Sequence, residues 1–224
     1  MISLNIKDIL YFCANIKYNI STKVGDIMTA KEIIKSEIIK HNGIITVNQI
    51  ENSGISKTVF YQYVKDNDLE KIGHGIYADG DAWIDDMYVL SLRCPGMIFS
   101  HEEALFLHGL TDREPLIHTV TVKTGYNPSR INPEECKVYT IKKDLYDMGL
   151  TIMKNTFGNE VPVYNIERTV CDIIRSRRNV EFQDFQSAIK GYVSRKSKDI
   201  NLLMDYAEKL RVKKIVRQYL EVLL

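Results

Sequence analysis

Residues 46–78 read TVNQIENSGISKTVFYQYVKDNDLEKIGHGIYA, and the order of caps, apolar spacings and turn residues in this stretch decides the fold. Thr46-Val47-Asn48-Gln49 is a capping box, in which the threonine hydroxyl takes a free backbone N–H and Gln49 folds back on the cap. A short helix to about Ser53 follows. Gly54 suits a left-handed turn, and Ser56 is the next cap. Val59, Phe60, Tyr63 and Val64 recur at helical spacing and predict the buried face of a second helix over 56–67. After Asn67-Asp68, Lys71-Ile72 and Ile76-Tyr77 flank Gly73-His74-Gly75, the signature of a hairpin with a flexible tip.

Upstream, Ala30, Ile33, Ile34 and Ile38 mark one face of a helix that Asn42-Gly43 stops, and Ile44-Ile45 is a short extended link. Helix, helix, turn, helix and hairpin in that order predict a winged helix-turn-helix over residues 28–80. Residues 1–27 form an extension, with Ile6, Ile9, Leu10, Cys13 and Ile16 at helical spacing over 2–17.

The remainder, 81–224, reads as a larger domain. A helix is expected over Asp81 to Leu92, and Pro95-Gly96 breaks the chain. A second capping box at Ser100-His101-Glu102-Glu103 leads a helix ending at His108-Gly109. Thr119–Lys123, Val138–Ile141, Thr151–Asn155 and Val161–Tyr164 have strand character and predict one small sheet. Asn165 caps a helix to about Ser176, and two or three further helices fill 181–224. The fold class is therefore α+β, a winged helix-turn-helix followed by a larger α/β domain with a small sheet and a helical C-terminus.

Composition is consistent with folded domains: 45% of the 224 residues are hydrophobic, 26% are charged, and only 5 are proline. The four cysteines, Cys13, Cys94, Cys136 and Cys171, are scattered without a CxxC pair, so reduced thiols in the cytoplasm are expected. No apolar run approaches the roughly 20 residues of a membrane helix. Net charge is only +1, yet residues 168–224 hold 13 Lys/Arg against 7 Asp/Glu, whereas residues 28–80 hold 6 against 7. DNA contact by the winged helix therefore depends on where charges sit. Basic runs such as the one through Arg175, Arg177 and Arg178 are most often solvated helix faces.

In a helix-turn-helix the third helix enters the major groove, and its outward residues touch base edges and phosphates. Here those residues are Lys57, Thr58, Tyr61, Gln62 and Lys65, with Thr58, Gln62 and Lys65 on one stripe. Gln can bond adenine through two groups, whereas Lys and Tyr more often hold phosphate. Lys71 and His74 on the hairpin are placed for the flanking backbone. An ordinary polar face on a protein-binding module is the competing account. The stripe offers donors and no acid before Asp66, which favours DNA.

Residues 28–80 resemble the N-terminal domain of AbiEi-type abortive-infection antitoxins, through Ile44-Ile45, Gly54-Ile55-Ser56 and the block Leu69 to Tyr77. Ser100–Leu105 with His108-Gly109-Leu110, Thr119–Val122 and Ile166–Asp172 resemble that family's later blocks. His74 departs from it, because such wings more often carry Arg or Lys. The resemblance implies a type IV, phage-defence antitoxin whose winged helix binds promoter inverted repeats in double-stranded DNA and represses its own operon. It also implies that residues 81–224 antagonise a nucleotidyltransferase-type toxin without a stable complex; Arg175, Arg177 and Arg178 are the residues offered for that role.

Enzymatic readings are weaker. His101 and His108 flank an HExxH-like start whose second histidine position is Leu105, and the acid expected two residues before Lys123 in a nuclease core is Thr121. Phosphate-binding and nucleophile-elbow motifs are absent. A solvated Glu102, a capping Glu103 and a structural His108 are expected instead, and Arg168 and Asp172 are an i,i+4 pair worth only a few tenths of a kcal/mol if exposed; no catalytic residue, metal or cofactor is expected. A DNA-processing enzyme with a winged-helix targeting domain and a plain regulator without a toxin stay as alternatives.

Overall fold

The computed structural model describes residues 28–127, 129 and 131–223. The expected helix over 2–17 lies outside the described residues. Helix α1 (Ala30–Lys40) starts at a capping box that the sequence reading passed over, Thr29 with Glu32, and buries Ile34 and Ile38. It stops where Asn42 and Gly43 take φ of 53° and 85°. Only glycine fits at 43, since a Cβ there would lie 2.5 Å from Ala82 Cβ.

Strand β1 (Ile44–Thr46) leads through the Thr46/Gln49 capping box into α2 (Val47–Asn52). Gly54 sits at φ 82°, and the Ser56 hydroxyl accepts the Val59 N–H at the start of α3 (Lys57–Asp66). Strands β2 (Glu70–Gly73) and β3 (Ile76–Ala78) form the hairpin, turning at His74-Gly75, and β1 pairs with β3 in the order β1-β3-β2. On α3 the expected buried face narrows to Phe60. Tyr63 and Val64 are half-buried, and Val59 is 42% exposed. Phe60 supplies the anchor by meeting Tyr77 edge-on at 5.5 Å.

Alternation along the small sheet sends its two faces into two cores. Ile45 and Tyr77 join Ile34, Ile38, Ile50 and Phe60. Ile44, Ile76 and Ala78 point the other way and pack with Met87, Leu90, Cys94, Met97 and Phe99. Polar ties cross the same seam: the Asn42 amide donates to Asn159 Oδ1 at 2.8 Å, and the Gln49 amide donates to the Tyr88 hydroxyl at 3.1 Å. The winged helix and the following region thus share a core across residue 80.

The expected helix from Asp81 begins later, as α4 (Asp86–Arg93). Asp85 decides the start. It is buried, caps Tyr88 N–H, and accepts from Asn155 and Asn159 at 2.6 Å each, which draws residues 81–85 out of helical register. The larger sheet runs β6-β5-β4-β8-β7 with β4 (Met97–Phe99), β5 (His118–Lys123), β6 (Cys136–Ile141), β7 (Leu150–Lys154) and β8 (Glu160–Tyr164). Its β4/β8 and β5/β6 pairs are parallel. Strand β4 escaped the sequence reading because all three of its residues are buried and show no alternation.

The second capping box does not form. Ser100 precedes α5 (His101–Leu107) without a side-chain cap bond, its hydroxyl accepting instead from Thr121 at 2.8 Å. The Thr119 hydroxyl takes the Glu103 N–H, and the buried Glu103 carboxylate pairs with His118 at 2.8 Å. Glu102 is not solvated either: its side chain is 14% exposed and meets Lys137 at 3.2 Å. His108 is structural as expected, donating to the Tyr164 carbonyl at 2.7 Å.

After β6, the short α6 (Lys143–Tyr146) crosses toward β7. Helix α7 (Ile166–Arg175), capped by Asn165, packs with α8 (Phe182–Ser194), α9 (Ile200–Lys209) and α10 (Lys213–Leu223) in a helical C-terminal core. Arg168 and Asp172 are not an exposed pair. Both are buried, with Nε 2.9 Å from Oδ2, and Arg168 Nη1 donates to the carbonyls of Leu145 and Met148 at 2.8 Å. The guanidinium lies 4.1 Å over the Tyr164 ring. Arg168 therefore clamps the α6 connection to the helical layer. Burial pushes the Asp172 carboxyl up to about 6, against the opposing pull of Arg168.

Candidate nucleic-acid interface

The anchoring of α3 by Phe60 fixes which residues face outward. Lys57, Thr58, Tyr61, Gln62 and Lys65 are all exposed, as are Lys71 and His74 on the hairpin. Thr58 and Lys65 have no side-chain hydrogen bond or ion pair among the described residues. Lys57 lies 3.5 Å from Glu51, with both side chains exposed, so the contact is weak and easily exchanged for phosphate. Gln62 is more committed, donating to Asp66 Oδ1 at 2.7 Å, while Lys31 approaches Asp66 at 3.9 Å. That bond occupies one of the two amide N–H groups, so the second N–H and the carbonyl oxygen stay available to a base edge.

The protein surface between helix α3, the hairpin and α4 is a cleft of about 930 Å³. Lys57 and Tyr61 of α3 and Lys71 and His74 of the hairpin line one side, and Ser91 and Arg93 of α4 line the other. Tertiary structure therefore brings together four of the seven residues named from sequence. Thr58, Gln62 and Lys65 stay on the outer stripe of α3, beside the cleft and not in it. Sequence reasoning missed Arg93, whose guanidinium also holds Glu135 at 2.6 Å. No local signal marks it, because it lies beyond the hairpin on another helix and reaches the cleft only through the shared core.

Arg175, Arg177 and Arg178 are exposed at the end of α7 but do not share one site. Arg175 borders a second, separate cleft, and Arg177 donates to the Ile174 carbonyl at 3.3 Å. Among the described residues no group of three or more His, Cys, Asp or Glu is placed to hold a metal ion, and no helix is long and apolar enough to cross a membrane.

Residues 32–78 match a family model described as transcriptional regulator, AbiEi antitoxin. The resemblance to AbiEi-type antitoxins holds over that stretch, which runs from α1 through the hairpin. No curated protein matches the sequence. Among solved structures, the crystal structure of the RV2827C protein from Mycobacterium tuberculosis is similar, with a TM-score of 0.54 at 14% identity over 87% of this chain and 78% of that chain. At that identity the likeness concerns the fold alone.

Proposed function

We propose, from the AbiEi-type winged helix of residues 32–78, that the chain is an antitoxin regulator that binds inverted repeats in its own promoter and represses the operon. The carrying observation is the exposed donor stripe of α3 standing beside a cleft into which Lys57, Tyr61, Lys71 and His74 converge. In this reading Gln62 and Thr58 meet base edges, Lys57, Lys65 and Tyr61 hold phosphates, and Lys71 and His74 follow the flanking backbone. The region from 81 onward antagonises a nucleotidyltransferase-type toxin without a stable complex, with Arg175, Arg177 and Arg178 as the residues to test. No catalytic step is assigned to the chain.

Lys57→Ala and Lys65→Ala are expected to weaken operator and random duplexes alike, each by about tenfold, whereas Gln62→Ala removes about 1–3 kcal/mol of discrimination between them. Fluorescence anisotropy on both duplexes reads this. Equal affinities for the parent chain and all three variants would remove α3 from the groove.

Binding is also expected to fall steeply with salt, since each neutralised phosphate releases counterions with a slope of about 0.9 in log K against log salt. Lys71→Ala should flatten that slope by about one contact. A hairpin off the DNA would leave the slopes of Lys71→Ala and His74→Ala identical to the parent. For the antagonism, charge reversal at Arg175, Arg177 and Arg178 together should abolish growth rescue in cells expressing the toxin while leaving a promoter reporter repressed. Full rescue by that variant would move the neutralising surface elsewhere.

A further inference from the structure

The cleft beside Arg175 is built from three separated elements and carries an excess of positive charge. Lys142 enters from the connection ahead of α6, Arg175 from the last turn of α7, and Lys209 and Arg211 from the end of α9. All four are exposed, and among the described residues none of them forms an ion pair. The lone acid lining the cleft, Asp144, pairs with none of them either. Ile141, Leu145 and Leu210 give the cleft an apolar floor, and its volume is about 340 Å³, near the lower end of small-molecule sites.

Helix stability explains part of this arrangement. Arg175 and Lys209 sit in the last turns of their helices, where a cation complements the helix dipole. The other two positions run against local preference. Lys142 occupies the cap position of α6 without making a cap bond, where a short polar side chain would serve and a cation opposes the dipole. Arg211 adopts φ 61° just past α9, in a left-handed turn closed by Arg211 N–H to the Glu208 carbonyl and Val212 N–H to the Ala207 carbonyl. Glycine takes that conformation without strain. Among the described residues the Arg211 side chain has no hydrogen bond or ion pair, so nothing there offsets the strain of its backbone.

We propose that Lys142, Arg175, Lys209 and Arg211 form a binding site for a compact polyphosphate, a di- or triphosphate group carried by a small molecule. Two guanidinium forks and two ammonium groups converging on a small concavity match several phosphate oxygens close together. The backbone of a duplex instead spreads its charges along a ridge. The site is independent of DNA reading by α3 and survives if that reading fails.

The experiment is calorimetric titration of the full-length chain with inorganic pyrophosphate and tripolyphosphate at low salt, and with ATP and GTP to show whether a nucleoside adds affinity. Pyrophosphate should bind, and Arg211→Gly should weaken it by roughly tenfold or more without lowering the melting temperature, because glycine relieves the left-handed strain. Arg175→Ala should weaken binding comparably, and Arg217→Ala, which lies outside the cleft, should not. Absence of binding to the parent chain overturns the proposal, as does undiminished binding in both Arg211→Gly and Arg175→Ala. Should pyrophosphate fail to bind while random duplex DNA loses affinity in Arg211→Gly, the cleft is a track for nucleic-acid backbone and the proposal falls.

Discussion

Replacing Arg168 by methionine is expected to destabilise the chain by about 3–5 kcal/mol, because it leaves a carboxylate buried without its partner. Arg168 is fully buried, satisfies Asp172 and holds two carbonyls of the α6 connection, so three groups lose a donor at once. The pair itself is not optimal, since Arg168 Nη2 is buried without a hydrogen bond among the described residues. The double variant Arg168→Met with Asp172→Leu should therefore recover much of the loss, as buried ion pairs replaced by apolar groups of similar volume often cost little. Urea denaturation of the parent, both single variants and the double completes the cycle. A double variant as unstable as the sum of the singles would show that the carbonyl clamp, not the stranded charge, carries the effect.

This loss depends on pH in a defined direction. Asp172 has its folded-state pKa raised to about 6, above the ordinary value near 4 of an unfolded aspartate. A carboxyl raised in the folded state contributes its stability below the unfolded value and loses it as pH rises through the folded one. Without Arg168 the opposing pull disappears and the carboxyl rises further. The deficit of Arg168→Met should thus be largest near pH 7.5 and shrink toward about pH 5. A deficit constant across that window would mean that Asp172 is not left charged.

A fragment of residues 81–224 is expected not to fold cooperatively. The sequence places the end of the winged helix at residue 80, with a larger domain from 81 onward. In the fold, removing residues 28–80 strips Ile44, Ile76 and Ala78 from a core that continues through Met87, Leu90 and Phe99, and takes the Gln49 amide from the Tyr88 hydroxyl and the Asn42 amide from Asn159 Oδ1. Exposing such a face costs about 25 cal/mol for each Å² of apolar surface and promotes association. The fragment should precipitate or melt broadly by calorimetry. A sharp transition and a monomeric sedimentation profile would show the shared core to be dispensable. The proposed repression and toxin antagonism are then better separated by substitutions on α3 than by deletion, since those residues are exposed and carry little of the fold.

What sequence determined by itself was local. Capping boxes and glycine turns are satisfied within a few residues of backbone, so Thr46/Gln49, Gly54, Ser56 and the His74-Gly75 hairpin were legible in order, and with them the outward face of α3. Where a side chain found a stronger distant partner, local reading failed. Ser100 gave up its cap to Thr119 and bonded Thr121, Asp85 was drawn to Asn155 and Asn159, and Arg168 left the surface for the carbonyls beside α6. The cleft beside α3 followed the same logic. Lys57 and Lys71 announce themselves in the helix and hairpin, but Arg93 joins them only because alternation in the small sheet buries Ile44 and Ile76 against α4. Spacing along the chain sets the period of each element, whereas the choice of partner across elements belongs to packing, which no single segment contains.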